Sequence, residues 1–510
     1  MPYTLERALE SPLAPYALGA LSALGIAWLW GSLAAPAAIH DEAAYLLQAR
    51  IFASGQLSAP AHALPEFFEQ YHVLVTPRLA PKYLPGHALA LVPGIWLALP
   101  GLVPVILGGV AGGLVFALAR QLAGAWVALL AWAIWSTSPA DMLWRASYMS
   151  QTSSAALWLG ASWFLLRFWR ESRTRDLVWL ALLVAMLGMT RPMTAIAFAL
   201  PAAVVVGIRV WRRRAFAALG LAALAGSALL AIVPAWNHAS LGDWRRSPYP
   251  EHSRVYFPYQ KLGFGIDPTP PQRALPKDMV AYDATYKRIH GAHTLADLPE
   301  TALRRLWATG RVFLGDGVWR APLGVFLLLG LALLRGPALF GLASTASLYA
   351  AYLLYAHPTD WMIYYCEAHA FLAFAIALGL WRALVWLLDA RAPLAAAAAS
   401  LLALALFSAL DAAQTKRVIQ SSLSYHREFA KAVARIADEK AILFVRYALD
   451  HDPNFGLVEN PPDYERARVW IVHDRGADNQ RLLALAPERV PYLFDEASYG
   501  LYRLADAPPS

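Results

Sequence analysis

Cysteine is almost missing from this chain, and charge is scarce. A lone cysteine, Cys366, among 510 residues excludes an internal disulfide, a multi-cysteine metal centre and an iron–sulfur cluster. Charged residues make up only 15% of the chain against 58% hydrophobic ones. Average soluble domains carry about 25% charged residues, so a disordered, fibrous or purely soluble protein is excluded. No P-loop or Gly-x-Gly-x-x-Gly pattern follows a strand-like segment, so a soluble nucleotide is not an expected ligand. The net charge of +8 is scattered between apolar runs, which argues against nucleic acid as a partner and makes the arginines topology markers instead.

What the chain has in plenty is long apolar runs, such as 13–38 and 394–410. Such runs suit a hydrocarbon core of about 30 Å, crossed by roughly 20 helical residues. Apolar stretches near 14–36, 101–119, 125–140, 152–169, 176–190, 193–211, 215–236, 321–335, 338–356, 362–387 and 393–410 predict an all-α polytopic membrane bundle of about 11 transmembrane helices. The run 84–99 holds Pro85, Gly86, Pro93 and Gly94 and is expected to be interfacial or re-entrant. Arginine clusters at Arg167/Arg170/Arg173/Arg175, at Arg209/Arg212/Arg213/Arg214 and at Arg382/Arg391 belong in the cytoplasm by the positive-inside rule. The N-terminus is then cytoplasmic, and the loops 37–100 and 237–320 lie outside. Residues 1–410 form the transmembrane module, and 411–510 are expected to form a small extracytoplasmic α/β domain. That domain has strands at 441–447, 469–473, 490–494 and 499–504 and helices at 425–437 and 478–486.

Immediately after the first run stand His40, Asp41 and Glu42. Carboxylates are tolerated where a helix leaves the membrane, and two so close should raise the pKa of one partner, which suits a general base. A solvated helix end is the alternative. Residues 43–57 read as a helix lying on the membrane surface, closed by Gly55 and Pro60. The segment from Thr76 to His87 places Arg78, Lys82 and Tyr83 at the same interface. Its cations could bind a lipid phosphate or snorkel to headgroups. Asp141 and Arg145, Arg191, Asn237 with Tyr249, and Glu367 with His369 all fall on the same expected side. Clustered carboxylates permit a divalent metal, but no His-Glu-x-x-His spacing is present, so neither a metal nor any other cofactor is assigned.

The arrangement resembles the GT-C membrane glycosyltransferases, in particular the protein O-mannosyltransferase and lipid A aminoarabinose transferase branch, family 39 and its relatives. The matching residues are Asp41-Glu42 with Tyr45, Ala49, Gly55 and Pro60; Lys82-Tyr83-Leu84-Pro85-Gly86; Ser138-Pro139 with Asp141; Thr190-Arg191-Pro192; and Asn237, Gly242 and Ser247-Pro248-Tyr249. The resemblance implies a polyprenyl-phosphate-linked sugar donor and transfer to a lipid, polysaccharide or protein hydroxyl on the extracytoplasmic face of a bacterial inner membrane. It makes Asp41 the base, Glu42 its partner and Lys82 the holder of the donor phosphate; on charge grounds alone, Arg78 or Arg191 offers the same cation to the leaving group. Tyr45, Asp141, Arg145, Tyr83, His87, Tyr249 and Glu367 would stand at the acceptor or behind those groups. Pro81 precedes Lys82 where the aminoarabinose branch has an acidic residue, a departure in the loop. The rival reading is a transporter or flippase of a lipid-linked substrate. It would place charge near the bilayer midplane, whereas the middles of the expected helices carry almost none.

Overall fold

The structure is a computed structural model that describes residues 2–314, 321–389 and 394–507. Each of the eleven apolar runs is helical, for instance Ala14–Trp30, Leu102–Ala123, Gln151–Glu171, Pro192–Arg213 and Cys366–Asp389. Four helices among the described residues are long and apolar enough to cross a membrane, or up to five if the bent pair Pro322–Leu333 and Ala338–Tyr352 counts as one span. Eleven helices are therefore present where expected, but only four or five among the described residues combine the length and the apolarity of a full crossing. Arg391 lies outside the described residues.

Three boundaries differ from expectation for identifiable reasons. The run 84–99 forms a 12-residue helix, Pro85–Trp96, because Pro85 sits in its first turn, where a missing N–H costs nothing, and Pro93 is absorbed inside it. The helix after the acid pair is His40–Ala53, and ten of its fourteen residues are buried. It is a packed helix rather than one exposing an apolar face. The last run and the expected helix at 425–437 merge into one 41-residue helix, Leu394–Ala434, which contains neither proline nor glycine to stop it.

The chain packs as two compact units. The first comprises Met1–Leu33, Gly101–Ala231 and Thr294–Ile419; the second comprises Ala34–Pro100, Ile232–His293 and Gln420–Ser510. Packing thus groups most of both expected outer loops with the C-terminal segment, instead of dividing the chain at 410.

In the first unit the helices meet through small residues. A Cβ added at Gly19 would lie 2.7 Å from the Gly109 carbonyl oxygen, and one at Gly109 would lie 3.0 Å from that of Gly19. Glycine lets the Ala14–Trp30 and Leu102–Ala123 backbones touch, the small-residue packing of membrane helices. Gly109→Val should destabilise the protein by about 1–3 kcal/mol, the usual cost of overpacking. A thermal unfolding midpoint equal to the parent's in detergent would contradict this. Two of the arginine clusters also share one end of this unit, since Arg209 Nη2 donates to the Arg170 carbonyl at 3.0 Å and Arg170 Nη1 to Gln121 at 2.7 Å.

The second unit contains both sheets. Short strands β1 (Ala59–Pro60), β2 (Val73–Leu74) and β3 (Arg78–Pro81) pair antiparallel in the order β1-β3-β2. The C-terminal sheet, β4 (Ala441–Arg446), β5 (Val469–His473), β6 (Val490–Asp495) and β7 (Gly500–Arg503), runs β5-β4-β6-β7. β4 is parallel to β5 and β6, while β7 closes antiparallel. The four strands stand where alternation in the sequence put them. β4 is buried along nearly its whole length, as a central parallel strand requires.

Candidate active site

The helix His40–Ala53 begins with Asp41 and Glu42 in its first turn, where unsatisfied N–H groups and the helix dipole favour negative charge. The two carboxylates then separate. Glu42 is 4% exposed and its Oε2 accepts the Ala38 N–H at 3.0 Å, tying down the entry to the helix. Asp41 keeps a 23% exposed side chain and turns to a different set of neighbours. Its Oδ1 accepts the Tyr83 hydroxyl. Its Oδ2 lies 3.0 Å from His40 Nδ1 and 3.6 Å from His72 Nε2.

The hairpin of β2 and β3 brings Tyr83 and His72 to this point. Val73 pairs with Pro81, so the next rung places His72 beside Lys82, and the Lys82 N–H donates to the His72 carbonyl at 2.7 Å. His72 itself holds a left-handed backbone, φ 62°, a conformation a non-glycine residue keeps only when its surroundings impose it. Gln48 of the acid-pair helix anchors the other end of the turn, its Nε2 donating to the Tyr83 carbonyl at 2.7 Å.

Lys82 is 3% exposed. Its ammonium lies 5.4 Å from the Tyr83 ring centroid and 5.0 Å from that of Tyr249, and it forms no ion pair among the described residues. Tyr45 stacks on Tyr83 at 4.5 Å, and His87, fully buried, meets Tyr45 edge-on at 4.8 Å. Six of the expected site residues, Asp41, Lys82, Tyr83, Tyr45, His87 and Tyr249, therefore form one cluster in the second unit. Arg78 belongs to the same unit but is engaged elsewhere, with Nε donating to Ser58 Oγ at 2.6 Å and Nη2 to the Ser58 carbonyl at 3.1 Å.

The charges follow from this packing. Burial by itself would raise the Asp41 carboxyl, but His72 and His40 outweigh it and hold Asp41 well below the ordinary carboxylate range. The expectation that the acid pair raises one partner does not hold for Asp41, because His40, His72 and Tyr83, not Glu42, are its polar neighbours. Burial, with the Lys82 charge, pushes His72 down to about 3. Burial pushes Lys82 itself down to about 8, with Asp41 opposing. His252, fully buried nearby, is lowered well below its ordinary value by burial and then by Lys82 and His72. At neutral pH the cluster thus carries the Asp41 carboxylate and the Lys82 ammonium beside uncharged His72 and His252. His40, Asp41 and His72 are of metal-ligand type, with one ligand atom of each within 4.8 Å of the others. The buried ammonium beside them opposes a divalent cation, so the cluster suits an anion better.

The remaining expected residues belong to the first unit. Arg191 Nε lies 3.6 Å from Glu367 Oε1, and its Nη2 donates to the Tyr352 hydroxyl at 3.0 Å. Ser154 donates to the same Glu367 oxygen. Asp141 faces His369, and Arg145 gives its Nε to the Asp141 main-chain oxygen at 2.8 Å and its Nη2 to that of Trp135 at 2.9 Å. The same unit holds an apolar cavity of about 690 Å³, lined by residues such as Val115, Leu165, Val204, Phe340 and Phe374, with Glu367 at its wall.

Sequence reasoning missed His72, His252 and Tyr282, the last of which packs edge-on against both His40 and His72. None sits in a recognisable motif. The one available signal was the hydrophobic alternation around Val73 and Leu79, which pairs 73–74 with 78–81 and so carries His72 to Lys82.

No curated protein sequence matches the chain. Residues 100–238 match the dolichyl-phosphate-mannose-protein mannosyltransferase family. Among solved structures, ArnT from Cupriavidus metallidurans in the apo state matches with a TM-score of 0.53 and 15% identity, covering 95% of this chain and 89% of that one. ArnT from the same organism bound to undecaprenyl phosphate matches with a TM-score of 0.51 and 14% identity, covering 96% and 91%. The likeness to these solved structures shows a shared fold, the family match is confined to residues 100–238, and the apolar helices support an integral membrane protein.

Proposed function

We propose that the protein transfers a sugar from a polyprenyl-phosphate donor to an acceptor hydroxyl, with Asp41 as general base and Lys82 holding the donor phosphate. One observation carries the reading: the buried Lys82 and the partly exposed Asp41 share one aromatic cluster, and the Asp41 charge favours the Lys82 ammonium although the two form no ion pair among the described residues. Transfer needs this polarity. The acceptor hydroxyl gives its proton to Asp41 as its oxygen attacks the anomeric carbon, while the bond to the phosphate oxygen breaks. Negative charge grows on the departing phosphate, and a fixed ammonium stabilises it without reorganisation. Tyr83, bonded to Asp41 Oδ1, fixes the rotamer of the base, whose Oδ2 faces His40 and His72. Neutral His72 lets Lys82 remain the cation of the cluster.

The ArnT relative carries undecaprenyl phosphate, which supports a polyprenyl carrier here. The apolar cavity of the first unit is of the character a prenyl chain requires. The reading places catalysis on the extracytoplasmic face of a bacterial inner membrane, with the shared end of the Arg170 and Arg209 clusters in the cytoplasm. Glu42, engaged with the Ala38 N–H, holds the helix start, and Arg191, paired with Glu367, is assigned to stability of its unit rather than to the phosphate.

The test is reconstitution of the purified protein in vesicles with polyprenyl-phosphate sugars, read by mass spectrometry, beside comparison of envelope glycolipids and glycoproteins with and without the gene. Release of the polyprenyl phosphate coupled to a new glycoside is expected. Movement of intact donor across the bilayer with no glycoside formed would favour the flippase reading. A pH dependence follows as well. Lys82 is cationic below about 8, so donor capture should be full below that pH and weaken as pH rises through it. A donor KM that is flat from pH 7 to well above 8 would remove Lys82 from the phosphate site.

A further inference from the structure

The first unit buries a second polar cluster that sugar transfer does not use. We infer that Asp141, Cys366 and His369 bind a zinc ion. All three side chains are buried, Asp141 at 4%, Cys366 at 5% and His369 at 0% exposure. One ligand atom from each lies within 4.8 Å of the others. Asp141 comes from the short helix Pro139–Arg145, whereas Cys366 and His369 sit three residues apart on the first turn of Cys366–Asp389, and so share a helix face. His369 Nδ1 is 3.0 Å from Asp141 Oδ1.

The ordinary alternative, a self-sufficient aspartate–histidine hydrogen bond, leaves too much unsatisfied. Asp141 Oδ2 and His369 Nε2 are buried with no hydrogen-bond partner among the described residues. The Cys366 thiol reaches only the Met362 carbonyl at 3.9 Å. Arg145, the nearest cation on the same helix, gives its guanidinium to the main-chain oxygens of Asp141, Trp135 and Ser136, with Trp135 beneath it at 4.0 Å. Buried groups left in this state call for a partner of their own.

The donor set selects the ion. One sulfur, one imidazole nitrogen and one carboxylate oxygen suit zinc, which takes all three types in a tetrahedral arrangement. Magnesium and calcium prefer oxygen alone. On binding, the thiol gives up its proton to solvent, and the carboxylate and thiolate together balance the two positive charges of the metal. Three protein ligands leave a fourth position for water. The site joins chain segments 228 positions apart, and it stands whether or not the transferase reading does.

Because the chain has only one cysteine, any thiolate–metal signal must come from Cys366. Full-length protein in detergent, stripped with a chelator and titrated with Co²⁺, should show a thiolate-to-cobalt charge-transfer band that zinc abolishes by displacement. Metal analysis after equilibration with zinc should find one ion per chain. Cys366→Ser, close in size to the parent, should lose the band and bind zinc at least about tenfold more weakly, and His369→Gln should likewise bind more weakly. Asp41→Asn and His72→Gln should leave both readouts unchanged. Absence of the band in the parent would overturn the site. So would a band that survives in Cys366→Ser, or metal lost on changing Asp41, which would move it to the His40–Asp41–His72 cluster.

Discussion

On the proposed function, Asp41→Asn should lower sugar transfer by about 10²- to 10⁴-fold, the range lost when a positioned general base is removed. The substitution is nearly isosteric, and the new amide oxygen can still accept the Tyr83 hydroxyl that Asp41 Oδ1 accepts now. Geometry is retained while the proton acceptor is lost, so the effect should appear in kcat at saturating donor. A second consequence separates this from a folding defect. Asp41 opposes the burial that pushes Lys82 down to about 8. Without its charge the ammonium gives up its proton at lower pH, and the pH at which donor binding fades should move down with it. Rapid-mixing assays of single-turnover transfer, with donor binding measured across pH, read both effects. Transfer at the parental rate, with protein abundance unchanged, would remove Asp41 as base.

Much of this residue cluster was legible before the fold, for a physical reason. Carboxylates next to an apolar run are rare because they are tolerated only where the helix leaves lipid, so Asp41 and Glu42 stood out at once. The likeness of Lys82-Tyr83-Leu84-Pro85-Gly86 to a known motif marked the opposite charge. What stayed hidden was the division of labour within the pair. The structure turns Glu42 back to the Ala38 N–H and leaves Asp41 with the imidazoles, a difference set by the pitch of the helix His40–Ala53. His72, His252 and Tyr282 reach the cluster through a two-residue strand pairing and through segments far along the chain, and no local pattern encodes such contacts. Arg191 shows the reverse case. Its place between two apolar runs looked like a phosphate ligand, yet a buried carboxylate, Glu367, meets it in the first unit.

The extent of the helices shows the same split between composition and context. Apolar runs marked all eleven, because burial against lipid or protein demands the same side chains. Hydropathy alone did not separate the four full-length spans among the described residues from shorter helices such as Ala125–Ser136, which is mostly buried or half-buried among its neighbours. The helix Leu394–Ala434 ran past its expected end because polar residues after Asp411 change what faces the helix without breaking its backbone.

Lys82→Met should move stability and donor capture in opposite directions. The parent buries an ammonium at 3% exposure with no ion pair among the described residues, a desolvation cost that a phosphate offsets only when donor is bound. Methionine fills the same space without charge, so the ligand-free variant should melt no lower than the parent. Donor KM should rise by about 10- to 100-fold, since hydrogen bonds to a charged group contribute about 1.5–3 kcal/mol. The pH dependence of stability gives the sign independently. Lys82 has its native value pushed down to about 8 from an ordinary 10.5. Between those values the unfolded chain holds a proton that the native chain has shed, so stability rises with pH across that window. The methionine variant should lack that rise. Thermal melts of both proteins at pH 7, 8 and 9, with and without polyprenyl phosphate, decide the matter: added lipid phosphate should stabilise the parent far more than the variant. Equal stabilisation of both would show that the phosphate is held elsewhere.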